Sequence, residues 1–226
     1  MNSGRGRLSG NSVIITGGTQ GIGKALVLKF AKEGADVLFC YLSSKELSDN
    51  LMSQTSNSSG TIIGFQADIR DREQVEGLVN LAGEKFGRID TLINNAHQPY
   101  ERKWFEDASW EEFQREFDTL VRGPFNVVQS ALPYLKVNGG SIINISSTMA
   151  QLPLMQHSFY ATAKSALVGL TKSLSLELGK YGIRANLVTP GPLETNHNIG
   201  LPKEMMEKLA NDTPLYGKMG TCEEAA

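Results

Sequence analysis

The chain has 226 residues, with 22 basic side chains against 24 acidic ones scattered along its length. That is enough for one buried core, with no charge excess to draw it to nucleic acid. Two cysteines, Cys40 and Cys222, are too few for a disulfide framework and fit a reducing, cytoplasmic setting. Residues 138 to 163 carry no charge, but Asn, Ser, Gln and Pro interrupt them too often for a membrane span.

The opening MNSGRGRLSG has no apolar segment behind its arginines and reads as a flexible leader over residues 1–10, leaving 11–226 as one domain. A first apolar run, VII (13–15), meets the glycine-rich TGGTQGIG (16–23) and a helical segment from about 24 to 33. VLFC (37–40) leads into YLSSK (41–45), and the polar TSNSSG (55–60) connects to IIGF (62–65). Asp71 with Gln74 is spaced to open the next helix, LI (92–93) follows, and Ser109 with Glu112 opens a long helical stretch to about 138. IINI (142–145) precedes a helix over about 158–181, whose Leu167, Leu170, Leu174 and Leu178 form one stripe, and LV (187–188) marks a sixth strand.

These runs lack polar alternation, as expected of parallel strands covered on both faces. Right-handed crossovers then give an α/β fold, a single doubly wound Rossmann-type parallel sheet flanked by helices. Thr221 and Glu224 are spaced to cap a further helix just before Ala226.

Within the glycine loop, Gly17 permits a tight turn, Gly21 lets backbone approach a pyrophosphate, and Gly23 lets the helix pack closely. No Gly-Lys-Ser/Thr ending follows, so the ligand expected is a dinucleotide rather than a nucleoside triphosphate.

A Tyr-x-x-x-Lys spacing occurs twice, at Tyr41–Lys45 and at Tyr160–Lys164. The first closes a strand. The second shares one face of a helix, and Ser147 lies thirteen residues before Tyr160, just past a strand end, where open α/β sheets bind ligands. A nearby ammonium would lower the phenol's pKa, and a serine would hold a substrate oxygen beside it. His97, His157 and His197 show no metal-ligand spacing, so no metal site is expected. His97 and His157 read equally as loop histidines or as the mouth of a substrate site, while Trp104, Leu152, Met155, Met205 and Met206 read as packing or as an apolar wall.

TGGTQGIG, the Asp68 of QADIR, NNAH (94–97), Ser147, YATAK and PGPLET (190–195) together resemble the short-chain dehydrogenase/reductase family, in its 3-oxoacyl carrier-protein reductase-like branch. They run through nearly the whole chain in the family's order. The resemblance implies a nicotinamide-dependent oxidoreductase in which Tyr160 is the proton donor or acceptor. Lys164 would lower its pKa and hold the nicotinamide ribose, and Ser147 would orient the substrate oxygen. It places cofactor contacts at Gly17, Thr19, Gln20, Gly21, Ile22 and Gly23, with Asp68 and Ile69 at the adenine. Asn94, Asn95 and Ala96 would lie near a ribose, and Pro190, Gly191 and Thr195 near the nicotinamide.

Three departures stand out. Leu120 occupies the place of the family's fourth catalytic residue, an asparagine. His97 replaces a glycine. The family's last strand and tail are missing from the sequence, so residues from about Leu215 onward are expected to be poorly ordered and the domain C-terminally incomplete.

An acidic residue at the end of the second strand would select NAD(H). Tyr41 stands there instead, with Ser43, Ser44 and Lys45 as potential donors to a 2′-phosphate, which favours NADP(H) despite a neutral Gln20 in the glycine loop. The expected substrate is a small or acyl-carrier-bound carbonyl compound. The expected assembly is a homodimer or homotetramer through helices about 109–138 and 158–181. The alternative is a cofactor-binding protein of the same fold with little turnover, acting as a sensor or assembly subunit.

Overall fold

The computed structural model describes residues 6–193, Glu204 and 219–226. Six parallel strands are ordered β3-β2-β1-β4-β5-β6. In chain order they are β1 (Ser12–Thr16), β2 (Asp36–Tyr41), β3 (Ile62–Gln66), β4 (Thr91–Asn94), β5 (Gly140–Ile145) and β6 (Ile183–Val188). Between them run helices α1 (Gly21–Lys32), α2 (Lys45–Gln54), α3 (Arg72–Phe86), α4 (Trp110–Phe117), α5 (Gly123–Asn138) and α6 (Ser158–Leu178). A final turn of helix, α7, spans Cys222–Ala225. The doubly wound arrangement is the expected one, and the order reverses between β1 and β4, where ligands of such sheets sit.

Alternate residues of each inner strand feed two cores. Ile14, Leu38, Leu92 and Ile142 meet Val75, Leu78 and Val79 of α3, Val127 and Ala131 of α5, and Leu178 of α6. Val13, Ile15, Val37, Phe39 and Ile93 meet Leu26 and Val27 of α1 and Leu51 of α2. Burial on both faces is why these strands read as unbroken apolar runs. Edge strand β6 alternates buried with more exposed residues.

Four expectations need correction. The helix expected over about 109–138 is two helices joined by a π turn, Asp118–Arg122. Pro124 has no N–H to offer the Leu120 carbonyl four residues back, so the α ladder cannot continue through this point. The helix expected from about 24 begins at Gly21, inside the glycine loop. In the expected leader, residues 6–10 are held: Leu8 N–H donates to the Glu33 carbonyl at 3.0 Å, Arg7 pairs with the Glu33 carboxylate at 2.8 Å, and Leu8 packs on a core.

At the other end, residues 219–226 are held as well. Gly220 bridges Leu193, Met219 and Cys222 are buried, and Ala226 packs on the core beside α1. The Thr221–Glu224 box forms as its spacing implied, each residue capping the other's backbone. Residues 215–218 lie outside the described residues. Cys40 and Cys222 are both buried and are not joined in a disulfide.

Candidate active site

The glycine loop joins β1 to α1 at the order reversal. Gly17 and Gly21 hold φ of +68° and +53°, where a side chain is strained. A Cβ on Gly23 would lie 2.0 Å from the Gly17 carbonyl oxygen and 2.6 Å from Asn95 Nδ2, so the close helix packing leaves no room for one. By contrast, a Cβ on Gly21 would meet nothing within 4 Å. The first turn of α1 carries no acidic residue, and Gln20 makes no side-chain cap. Its backbone amides therefore face an open space at the positive end of the helix, the donor set a pyrophosphate requires.

The loop is clamped from β4. Thr16 Oγ1 accepts hydrogen bonds from the N–H groups of Asn95 and Ala96, both at 3.0 Å, and Asn95 Nδ2 donates to the carbonyls of Thr16 and Gly17, each at 3.0 Å. Asn94 faces the other way, donating to Asn144 Oδ1 at 2.8 Å, and Asn144 in turn donates to Thr171 on α6. The side chains of Asn94 and Asn95 thus knit the framework. Thr19 is buried, and Ile22 packs against the α1 core.

Asp68 follows β3. Its carboxylate is gripped by the Arg70 guanidinium at 2.6 Å, which holds its pKa below the usual range, and Gln74 accepts from the Asp68 N–H. Gln74 thereby serves two neighbours, since its Nε2 also donates to the capping carboxylate of Asp71. Ile69 is buried against Gly123, where an added Cβ would strike its side chain. At the end of β2, Tyr41 is buried, Ser43 is exposed, Ser44 stands at the N-cap position of α2 without a side-chain cap, and Lys45 forms an exposed pair with Asp49 at 3.2 Å. No carboxylate occupies residues 41–45. Pro190 accepts from Thr148 N–H, fixing the β6 exit beside Ser147, and Gly191 lies next to it. Thr195, His197, Met205 and Met206 lie outside the described residues.

Ser147, Tyr160 and Lys164 do converge. Ser147 leaves β5 in extended backbone, caps a short turn by accepting from the Met149 N–H, and lies near enough to the Tyr160 phenol to bear on its pKa. Lys164, one helical turn along α6, is 4 % exposed. Its Nζ donates to the Ile145 carbonyl at 2.6 Å and lies 5.6 Å from the centre of the Tyr160 ring. The other Tyr-x-x-x-Lys pair, Tyr41–Lys45, gathers no such group.

The electrostatics differ from the expectation that an ammonium holds the phenol down. Burial pushes Tyr160 up to about 12, against which the nearby Ser147 hydroxyl pulls it back. Burial likewise pushes Lys164 down to about 8, with the Glu116 carboxylate acting in the opposite sense. Low dielectric dominates both groups, because each is charged in only one of its two forms.

Sequence reasoning missed several groups. Tyr100, in the loop after β4, stacks on Tyr160 with ring centres 5.2 Å apart and also touches His97, His157 and Phe159 edge-on. Glu116 of α4 is 2 % exposed and faces His97 Nε2 at 3.5 Å. Its position among Phe113, Phe117 and Leu120 in the helical period marks it as inward-facing, whereas nothing in the sequence marks Tyr100. Both described histidines reach this cluster: His97 lies 5.1 Å from the Tyr160 ring, and His157 donates from Nδ1 to the Met155 carbonyl at 2.6 Å. Trp104, Leu152 and Met155 are exposed, Met155 by 78 %. Among the described residues, no group of metal-ligating side chains gathers, and no helix is long and apolar enough to cross a membrane.

Residues 11–205 match the family model described as short chain dehydrogenase. The chain is 35 % identical to a 3-oxoacyl-[acyl-carrier-protein] reductase of Thermotoga maritima, covering 97 % of this chain and 89 % of that protein. Among solved structures, a short-chain dehydrogenase/reductase variant of Serratia marcescens superposes with a TM-score of 0.90 at 34 % identity, over 96 % of this chain and 88 % of that one. A short chain dehydrogenase of Burkholderia cenocepacia in complex with NADP superposes at 0.89 and 30 % identity, over 97 % and 88 % of the two chains.

Proposed function

This chain belongs to the short-chain dehydrogenase/reductase family, whose members are nicotinamide-dependent oxidoreductases, and from that premise we propose that it reduces a ketone to an alcohol, or runs the reverse reaction, with Tyr160 as the general acid or base. The observation that carries this reading is the meeting of Ser147, Tyr160 and Lys164 beside the order reversal of the sheet. Ser147 orients the substrate oxygen next to the phenol. In reduction, Tyr160 gives that oxygen its proton as the carbon receives hydride. A bound nicotinamide would supply the hydride, and Lys164 would hold its ribose. A positive charge brought close to Tyr160 on binding would lower the phenol from its buried value toward working pH.

The cofactor favoured is NADP(H). No carboxylate closes β2 to repel a 2′-phosphate, Lys45 and the exposed Ser43 stand ready to donate to it, and the relative from Burkholderia cenocepacia holds NADP. The open amides at the start of α1 take the pyrophosphate, and the Asp68–Ile69 turn borders the adenine. Asn95 and Thr16 act by holding the glycine loop in shape. The substrate class is a small or acyl-carrier-bound carbonyl compound, in line with the similarity to 3-oxoacyl-[acyl-carrier-protein] reductase. The exposed faces of α4, α5 and α6 are the surfaces through which a homodimer or homotetramer would form, and two cysteines not joined in a disulfide suit the cytoplasm.

Titration of the protein with NADPH and with NADH, followed by nicotinamide fluorescence, tests the cofactor reading. Binding of NADPH at least tenfold tighter than NADH is expected. Equal affinities remove the 2′-phosphate assignment, and binding of neither removes the function.

A further inference from the structure

We propose that Glu116 and His97 are positioning residues that deliver protons to Tyr160, a route that does not pass through the apolar side chain at Leu120. The inference rests on the reading of Tyr160 as the acid. A phenol that gives up a proton in each turnover needs a supply, and its neighbour Lys164 is buried and tied to the Ile145 carbonyl, while Tyr160 itself is half-buried. Leu120, 2 % exposed in the π turn that packs on α6, offers no side-chain polar atom.

Glu116 lies one helical turn before it, and a buried carboxylate is costly unless something requires it. Its Oε2 accepts no hydrogen bond of ordinary length and stands 3.5 Å from His97 Nε2. On its other side Glu116 lines a cleft of about 80 Å³ with Tyr100, Glu101, Glu112, Arg115 and Phe159. Glu101 and Arg115 are exposed at its rim. The cleft is polar, and since one water needs about 10–15 Å³ of such space it has room for more than one. Beyond His97 comes the Tyr160 ring, 5.1 Å away. The order along the route is therefore cleft, Glu116, His97, Tyr160.

The groups facing Glu116 are His97 and Tyr100 from the loop after β4, Tyr160 and Lys164 from α6, and Glu112 and Arg115 from its own helix. Arg102, from the same loop as Tyr100, bears on Tyr100 and His157. The charge of Glu116 acts on Tyr100, Tyr160 and Lys164 alike, raising each. In carbonyl reduction the Tyr160 O–H bond breaks, its proton goes to the substrate oxygen, and the electron pair stays on the phenolate. The imidazolium of His97 returns a proton to the phenolate, Glu116 reprotonates His97, and water in the cleft reprotonates Glu116. One solvent proton is consumed per carbonyl, and alcohol oxidation runs the same chain outward.

Glu116→Gln tests this twice. In lysine-¹³C NMR of the protein without substrate, with the Lys164 signal identified by its loss in Lys164→Met, the wild-type midpoint is expected near 8 and the Glu116→Gln midpoint below it. An unmoved midpoint overturns the proposal, and this readout needs no turnover. With NADPH and ethyl acetoacetate as the probe carbonyl, Glu116→Gln should lower kcat tenfold or more above pH 8. KM and NADPH binding should hold, and added formate should restore part of the rate. His97→Gln should do the same, with rescue by imidazole. A wild-type kcat and pH profile in both variants overturns the relay but leaves Tyr160 in place, whereas full turnover by Tyr160→Phe removes the reading beneath it.

Discussion

The ring of Tyr100 lies stacked on the ring of Tyr160, planes 23° apart and centres 5.2 Å apart. Tyr100 is thus part of the burial that pushes the Tyr160 phenol up to about 12. Tyr100→Ala should open that face to water and move the phenolate midpoint of Tyr160 downward. Phenolate absorbance, read as the difference between Tyr100→Ala and Tyr100→Ala with Tyr160→Phe, checks this, and a midpoint at or above the wild-type value contradicts it.

Lys164 makes stability depend on pH in a defined direction. In the folded protein it loses its proton near 8, while in the unfolded chain it keeps it to the ordinary lysine value of about 10.4. Between those values the unfolded state binds more protons, so stability rises with pH through that window, and the cost of burying the ammonium is felt in full below about 8. Tyr160 acts oppositely: its raised pKa makes stability fall from about pH 10 upward. Lys164→Met should therefore stabilise the fold at pH 7 by on the order of 1–3 kcal/mol while removing turnover. Denaturant melts at pH 7 and pH 9.5 check it, and the gain should shrink at the higher pH.

Much of this was legible in the residues. Strands buried on both faces announce themselves as apolar runs, and the Ser109 and Thr221 caps form as spaced because a capping box is a local hydrogen-bond pattern. The meeting of Ser147 with Tyr160 follows from a strand end and a helix start lying side by side in an α/β sheet. What was not legible depends on contacts distant in sequence. Tyr100 reaches Tyr160 across sixty residues, and Leu8 docks on Glu33 through backbone groups that leave no pattern. The broken helix had a local signal in Pro124. The pKa values of Tyr160 and Lys164 depend on how deeply the fold encloses them, which spacing does not reveal.

Gly23→Ala would set a methyl 2.0 Å from the Gly17 carbonyl oxygen, and backbone cannot swing aside as a flexible side chain can. The expected result is a loss of about 1–3 kcal/mol of stability from overpacking, together with at least a tenfold loss of nicotinamide nucleotide affinity as the loop shifts. Thermal melts with and without NADPH measure both, and an unchanged affinity would mean that the glycine loop does not shape the cofactor site.

Lys45 is exposed at the start of α2, sharing its charge with Asp49. Lys45→Glu should weaken NADPH binding severalfold, more at low than at high ionic strength, and leave NADH binding nearly unchanged. An equal effect on both nucleotides would place the 2′-phosphate elsewhere.

The central claim is that Tyr160 carries the proton in a nicotinamide-dependent carbonyl reduction, and steady-state turnover of Tyr160→Phe beside the wild type, with NADPH saturating and a panel of keto esters and acyl-carrier-type thioesters, tests it most directly. General acid-base catalysis contributes about 10²–10⁴ in rate. The variant should therefore lose at least a hundredfold in kcat on every compound the wild type reduces, with NADPH affinity within about twofold. Turnover of Tyr160→Phe near the wild-type rate on any good substrate would contradict the account, as would a wild type that binds NADPH and reduces nothing in the panel.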